Sequence, residues 1–312
     1  MNCCDHGLIV LPMFPIVPTD LADVIYTPHV KTNIRAYNTA MCMASIGHES
    51  KGLIFGAFVL GGRTYHRMGK LQPDTGQQHS FAQIYMLDVD AATDRRLGVF
   101  GGELGGLKRT VLAALHTLLL AHNPWIRQFV AVARDNVPTL VWKCENDISS
   151  MSIGALVSAP GSRRDIVLQR TSGPLCFIHD GHALYHPLAY PLLFPMGTAG
   201  WQEDMLVTNA EASSDRRLSL TDWGRYYLMH RGDSLTHWQR CGNLSLEFYC
   251  DMWAQVEARM CCFHRLPQQQ LKYRGARVAA VEDQLQAGVS AGDIGQPVIR
   301  CFCTSICFCI VY

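Results

Sequence analysis

The stretches LIFGAFVL (residues 53–60) and FAQIYML (81–87), set against LKRTVLAALHTLLLA (107–121), decide how this chain reads. The first two are short apolar or alternating runs of the kind that forms strands. The third places Leu107, Val111, Leu115, Leu118 and Leu119 on one broad apolar stripe at helical spacing. Asn123 and Pro124 end that helix, and a second helix is expected to run to about Arg134. Upstream, Ile34, Tyr37, Met41 and Ile46 predict a helix over Thr32–Ile46 that Gly47 stops. Further strand-like pieces follow at 139–143, 152–158 and 165–169, between turn residues such as Asn146, Pro160 and Gly161. Beyond residue 219 the pattern turns helical, over about 220–230, 244–265 and 270–287, with Pro267 as a break.

The expected fold class is therefore α+β: a mixed α/β N-terminal part with short strands, then a mainly helical C-terminal part. The expected organisation is a Pro-rich extended lead-in over 1–30, a mixed region over 31–200 and a polar linker over 201–219. A helical region over 220–299 and a Cys-rich tail over 300–312 complete it.

The 312 residues are 48% hydrophobic and 17% charged with net charge +1, a composition that excludes global disorder. A near-neutral chain is also a poor polyanion partner taken as a whole. No apolar run reaches the roughly 18 residues of a membrane span, and MNCCDHGLIV lacks the basic start of a signal peptide. An intracellular chain without membrane attachment is expected. Thirteen cysteines, an odd number, argue against a disulfide framework.

Motifs for chemistry are sparse. Gly101 to Gly106 has phosphate-loop glycine spacing, but Leu107, Lys108 and Arg109 follow, with the Lys one place late and no adjoining hydroxyl. Gly56 to Gly61 fails likewise, since Gly62 and Arg63 follow. His179, His182 and His186 have a spacing that could bring three imidazoles to zinc, but Pro187 and Pro191 oppose the helix that would aim them. No Gly-x-Ser-x-Gly elbow occurs. Arg63, Tyr65 and Arg67, with His66, alternate cations with a stacking ring and are the candidate nucleic-acid contacts.

Several phrases resemble proteins of Helitron transposons. KTNIRAYNTAMCMASI (31–46) resembles their "NIRxYN" segment, and YHRMGKLQPDTGQQHSFAQ (65–83) is similar to their "YHRIGSLLP…FAQLY" stretch. YPLLFPMGTAGW (190–201), the most specific, looks like their "YPLLFPxGxxGW". Tyr226 and Tyr227, then Glu247 to Arg259 with Glu257 and Arg259, and QQQLKYR (268–274) resemble the opening of the Helitron helicase-like N-terminal domain. DIGQPVI (293–299) looks like the family's "IGRRVIL".

The resemblance runs from about Asn2 to Ile299 and implies a rolling-circle transposase that acts on single-stranded DNA in the nucleus. Its nuclease holds a divalent metal ion on a His-hydrophobic-His pair beside catalytic tyrosines, and its helicase consumes ATP. Neither motif occurs in these 312 residues, so no cofactor and no catalytic residue are expected here. Cys3 and Cys4 resemble the close of a family Cys-rich motif, two ligands of a metal set whose others would precede Met1. After Ile299 the sequence departs from the family as RCFCTSICFCIVY. The expected function is thus that of a catalytically inactive transposase fragment. The alternatives are a retained nucleic-acid or protein interaction module and an incomplete reading of an active replicase-helicase.

Overall fold

The computed structural model describes residues 4, 7–54, 57–70, 73, 76–99, 106–135, 141–142, 151–152, 166–169, 175–178, 181–207, 216–229, 234–268, 281–288 and 290. Side chains within 45–54, 57–70, 132–135, 141–142, 151–152, 166–169, 175–178, 258 and 261–268 lie outside the description. Contacts divide the chain into two units, Met1–Cys250 and Asp251–Tyr312.

Among the residues whose side chains are placed, 61% are helical and 1% are in strands, and no sheet lies among them. This overturns the expected α+β class with a mixed α/β N-terminal part: among those residues the structure is mostly helical. Backbone pairing of Ser45–Ile54 with Ala57–Lys70 is antiparallel, but those residues lie outside the part whose side chains are placed.

Three local departures from the expected elements stand out. First, FAQIYML is not a strand but a 3-10 helix over Phe81–Met86. The Ser80 N–H donates to Gln83 Oε1 at 3.1 Å, and the Gln83 N–H donates to the Ser80 carbonyl at 3.0 Å. Both Tyr85 and its neighbour Ile84 are buried, so the apparent alternation never separates two faces. Second, prolines in the lead-in start helices instead of preventing them. Pro18 is the N-cap of α1 (Thr19–Ile25), and Pro28 opens α2 (Pro28–Thr32), where its missing N–H costs nothing. Third, the helix expected over 32–46 is interrupted at Asn33, and α3 (Ile34–Met41) stops at Cys42, before Gly47.

Helix α4 (Val89–Val99) carries Arg96, which is fully buried. Its Nε donates to the Ala40 carbonyl at 2.9 Å and Nη1 lies 2.8 Å from His116 Nδ1 on α5 (Arg109–His122). The guanidinium also sits 4.7 Å from the ring centre of Tyr85, whose hydroxyl donates to the Met41 carbonyl at 2.7 Å. One side chain therefore ties three elements together. α5 buries Leu112, Leu115, His116 and Leu119. The break at Asn123 forms as expected, because Asn123 Oδ1 accepts from the Trp125 N–H at 3.0 Å at the start of α6 (Pro124–Asp135).

The stretch around α7 (Tyr185–Ala189) and the following turns is buried within the first unit. Tyr190, Leu192, Leu193, Phe194 and Trp201 are all buried there. Turns leave carbonyls without helical partners, and buried ones need donors. Polar side chains from distant elements supply them. Asn38 Nδ2 donates to the Ala189 carbonyl at 3.0 Å, and Trp238 Nε1 to that of Leu193 at 3.1 Å. Asn123 Nδ2 reaches Phe194 at 3.3 Å, and Trp125 Nε1 reaches Gly197 at 2.6 Å. Gly197 has φ of +65°, and a Cβ there would lie 2.7 Å from Pro124 Cδ and 2.9 Å from the Trp125 ring. Only glycine suits that backbone and that approach.

Behind this loop, Phe14, Phe194, Trp238 and Phe248 meet the helix α8 (Leu220–Leu228) residues Trp223 and Tyr227 in an aromatic cluster. Phe14 stacks on Trp238 with ring centres 5.0 Å apart and 21° between planes. Such pairs contribute about 0.5–1.5 kcal/mol each beyond area burial. Helix α9 (His237–Arg240) follows, and α10 (Asn243–Gln268) begins in the first unit and continues into the second. In the second unit the described residues are the remainder of α10, a short helical stretch at 281–286 with its turn at 287–288, and residue 290. No helix among the described residues is long and apolar enough to cross a membrane.

Candidate functional site

The side chains of Arg63, Tyr65 and Arg67, the expected nucleic-acid contacts, lie outside the described residues, as do Cys3 and His179. Cys4 is described, and its carbonyl accepts from the N–H groups of Gly7 and Ile9 in a turn. Among the described residues no group of three or more His, Cys, Asp or Glu gathers as a metal site. His182 turns its Nδ1 back to accept from the Leu184 N–H at 3.1 Å. His186 is buried, parallel to Trp223 at 6.3 Å and edge-on to Phe248 at 5.0 Å. These two imidazoles are packed into the fold.

A cavity of about 380 Å³ opens elsewhere in the first unit. The Pro-rich segment Met13–Val17 forms one wall, the end of α8 with Met229 another, and α9 with the residues before it a third. Two tyrosine hydroxyls hold the first wall in place. Tyr226 donates to the Leu11 carbonyl at 3.0 Å and Tyr227 to that of Pro12 at 2.8 Å. A proline-rich segment has few N–H donors of its own, so its path is set by what its carbonyls accept.

Most of the lining is apolar or aromatic, and its polar corner is built on His237. Nε2 lies 2.8 Å from the Leu192 carbonyl, which can only accept, so the proton is on Nε2. Nδ1 is then the acceptor for the Tyr26 hydroxyl, also at 2.8 Å. Burial pushes the His237 imidazole down to about 4 and the Tyr26 phenol up to about 12. Both groups are thus neutral across the physiological range. Arg240 covers the Tyr26 ring, its guanidinium carbon 5.1 Å from the centroid, and its Nε donates to the Leu235 carbonyl at 3.3 Å.

Cys241 Sγ lies 3.7 Å from His237 Nε2, which raises the question of a thiol nucleophile. The chemistry does not support one. Burial pushes the Cys241 thiol up to about 12, and neither imidazole nitrogen is free to accept its proton. The arrangement is suited to binding, not to covalent catalysis.

Sequence reading did not single out His237. A local signal was present in Thr236-His-Trp-Gln239, a capping box. The Thr236 N–H donates to Gln239 Oε1 at 3.0 Å, and the Gln239 N–H donates to Thr236 Oγ1 at 3.3 Å. That box starts α9 and so sets where His237 and Trp238 point. No protein-family model matches this chain, and no curated protein matches it either.

Proposed function

We propose that this chain is the non-catalytic region of a Helitron-type rolling-circle transposase that precedes and opens its helicase-like domain. Its role is architectural: it forms a helical scaffold, in the nucleus, on which single-stranded DNA handling by other parts of such a protein is organised. The observation that supports this reading is that the phrases resembling the family, far apart in sequence, contact one another within the first unit. Asn38, from the NIRAYN phrase, bonds to the backbone of Ala189 and Leu192 at the YPLLFP phrase. Tyr85, from the FAQIY phrase, bonds to Met41. Arg35 pairs with Glu247, which opens the helicase-like segment.

Within NIRAYN the polar atoms also act on backbone. Asn33 Nδ2 donates to the His29 carbonyl at 3.0 Å, and the Tyr37 hydroxyl accepts from the Lys108 N–H at 2.8 Å. Such residues specify a fold, which supports an architectural role over a chemical one.

Long-read sequencing of the locus, translated downstream in all three frames, tests the family reading. The expected result is a His-hydrophobic-His pair, catalytic tyrosines and a phosphate loop, intact or decayed. Flanking sequence with no trace of them would remove the Helitron reading. Incubation of purified chain with labelled single-stranded DNA and Mg²⁺ or Mn²⁺ tests the other half. Nicking that copurifies with the chain would overturn the non-catalytic assignment.

A further inference from the structure

The cavity beside Tyr26 and His237 is not used by the architectural role, and its chemistry is lopsided. Among the described residues its lining holds one charged side chain, Arg240, and no Asp or Glu. Arg240 pairs with no carboxylate among the described residues, and its side-chain hydrogen bond to the Leu235 carbonyl uses Nε. The rest is dominated by apolar surface, and Met13, Ile16 and Leu235 stay exposed at 58%, 94% and 59%. Exposed apolar side chains gathered at a concave site mark a place where an apolar body is received.

We propose that this cavity binds an apolar monocarboxylate, its carboxylate paired with the Arg240 guanidinium and its hydrocarbon body among Phe14, Tyr227, Met229 and Leu235. The planar guanidinium offers the paired donors that a carboxylate accepts. A phosphate dianion would set two charges against one cation beside apolar walls, a poor exchange for water. A cationic ligand would meet Arg240, which already covers the Tyr26 ring face. A neutral alcohol would bury the same body but leave the guanidinium with water alone. The neutral Tyr26–His237 pair leaves Arg240 as the one fixed charge among the described lining residues at neutral pH.

Titration calorimetry on the full chain with decanoate, decanol and inorganic phosphate, each below its aggregation limit, tests the proposal. Decanoate should bind saturably at one site and at least tenfold more tightly than decanol, with phosphate not competing. Arg240→Gln, at an exposed position, should remove that tenfold preference while leaving decanol binding as it was. Ala22→Phe, which fills the cavity from α1, should abolish both. No saturable decanoate binding, equal affinity for the alcohol, competition by phosphate, or an unchanged preference in Arg240→Gln would each overturn it. The circular dichroism melting curve of Arg240→Gln serves as the folding control. The transposase reading stands or falls on the locus and the nicking assay, so the two can fail separately.

Discussion

The side-chain amide of Asn38 recognises the backbone of a loop some 150 residues away from both of its ends. Nδ2 donates to the Ala189 carbonyl at 3.0 Å, while Oδ1 accepts from the Leu192 N–H at 3.3 Å. Asn38 is buried, so neither backbone group has water as a substitute. Each orphaned buried group costs about 1–3 kcal/mol. Asn38→Leu should therefore destabilise the first unit by roughly 2–5 kcal/mol, read as a lower urea midpoint. A loss under about half a kcal/mol would show that the loop does not depend on this amide.

Gly197→Ala should be destabilising well beyond 1 kcal/mol. The substituted residue would hold a left-handed φ and drive its Cβ into Pro124 and Trp125. Gly98, within α4, gives the opposite expectation: nothing lies within 4 Å of a Cβ there. Gly98→Ala should stabilise by about 0.5–1 kcal/mol through helix propensity. Thermal melts of the two variants measured side by side should move in opposite directions.

Acid should weaken the fold through His116 and His237. Burial is the first cause at both, and each is pushed down to about 4 from an ordinary 6.5. The folded state holds these rings neutral, so the unfolded chain binds more protons as pH falls. Their contribution is complete above about pH 6.5 and is lost on descending toward pH 4. At His116 the cause has a further element, since the neighbouring Arg96 cation opposes a second positive charge. His116→Asn, which keeps an acceptor for Arg96, should flatten the slope of the urea midpoint between pH 4 and 6.5. An unchanged slope would count against the assignment.

Thiol labelling of the native protein should discriminate among the cysteines. Cys42 and Cys241 are buried and pushed up to about 12, whereas Cys250 is exposed. Only thiolate reacts at an appreciable rate. Peptide mapping after brief alkylation at pH 8 should find Cys250 modified, with Cys42 and Cys241 modified only after denaturant is added. Rapid native labelling of Cys241 would contradict the burial that rules out a thiol nucleophile.

Part of this protein is written in short-range sequence signals. The apolar stripe of α5, the Asn123–Pro124 break and the helices α6, α8 and α10 can be read from periodicity and caps, because those effects act within one or two turns. The same rules misread FAQIYML, since an apolar run of seven residues has no period of its own and the Ser80–Gln83 contact decides its form. They also misjudged the lead-in, where Pro18 and Pro28 sit at helix starts. Only the tertiary structure decided the pairing of Asn38 with Ala189 and Leu192, of Tyr26 with His237, and the burial of Arg96 between Ala40 and His116. The physical reason is range. Caps and periodicity are fixed by neighbours along the chain, whereas a buried donor takes whatever acceptor the packed helices bring to it.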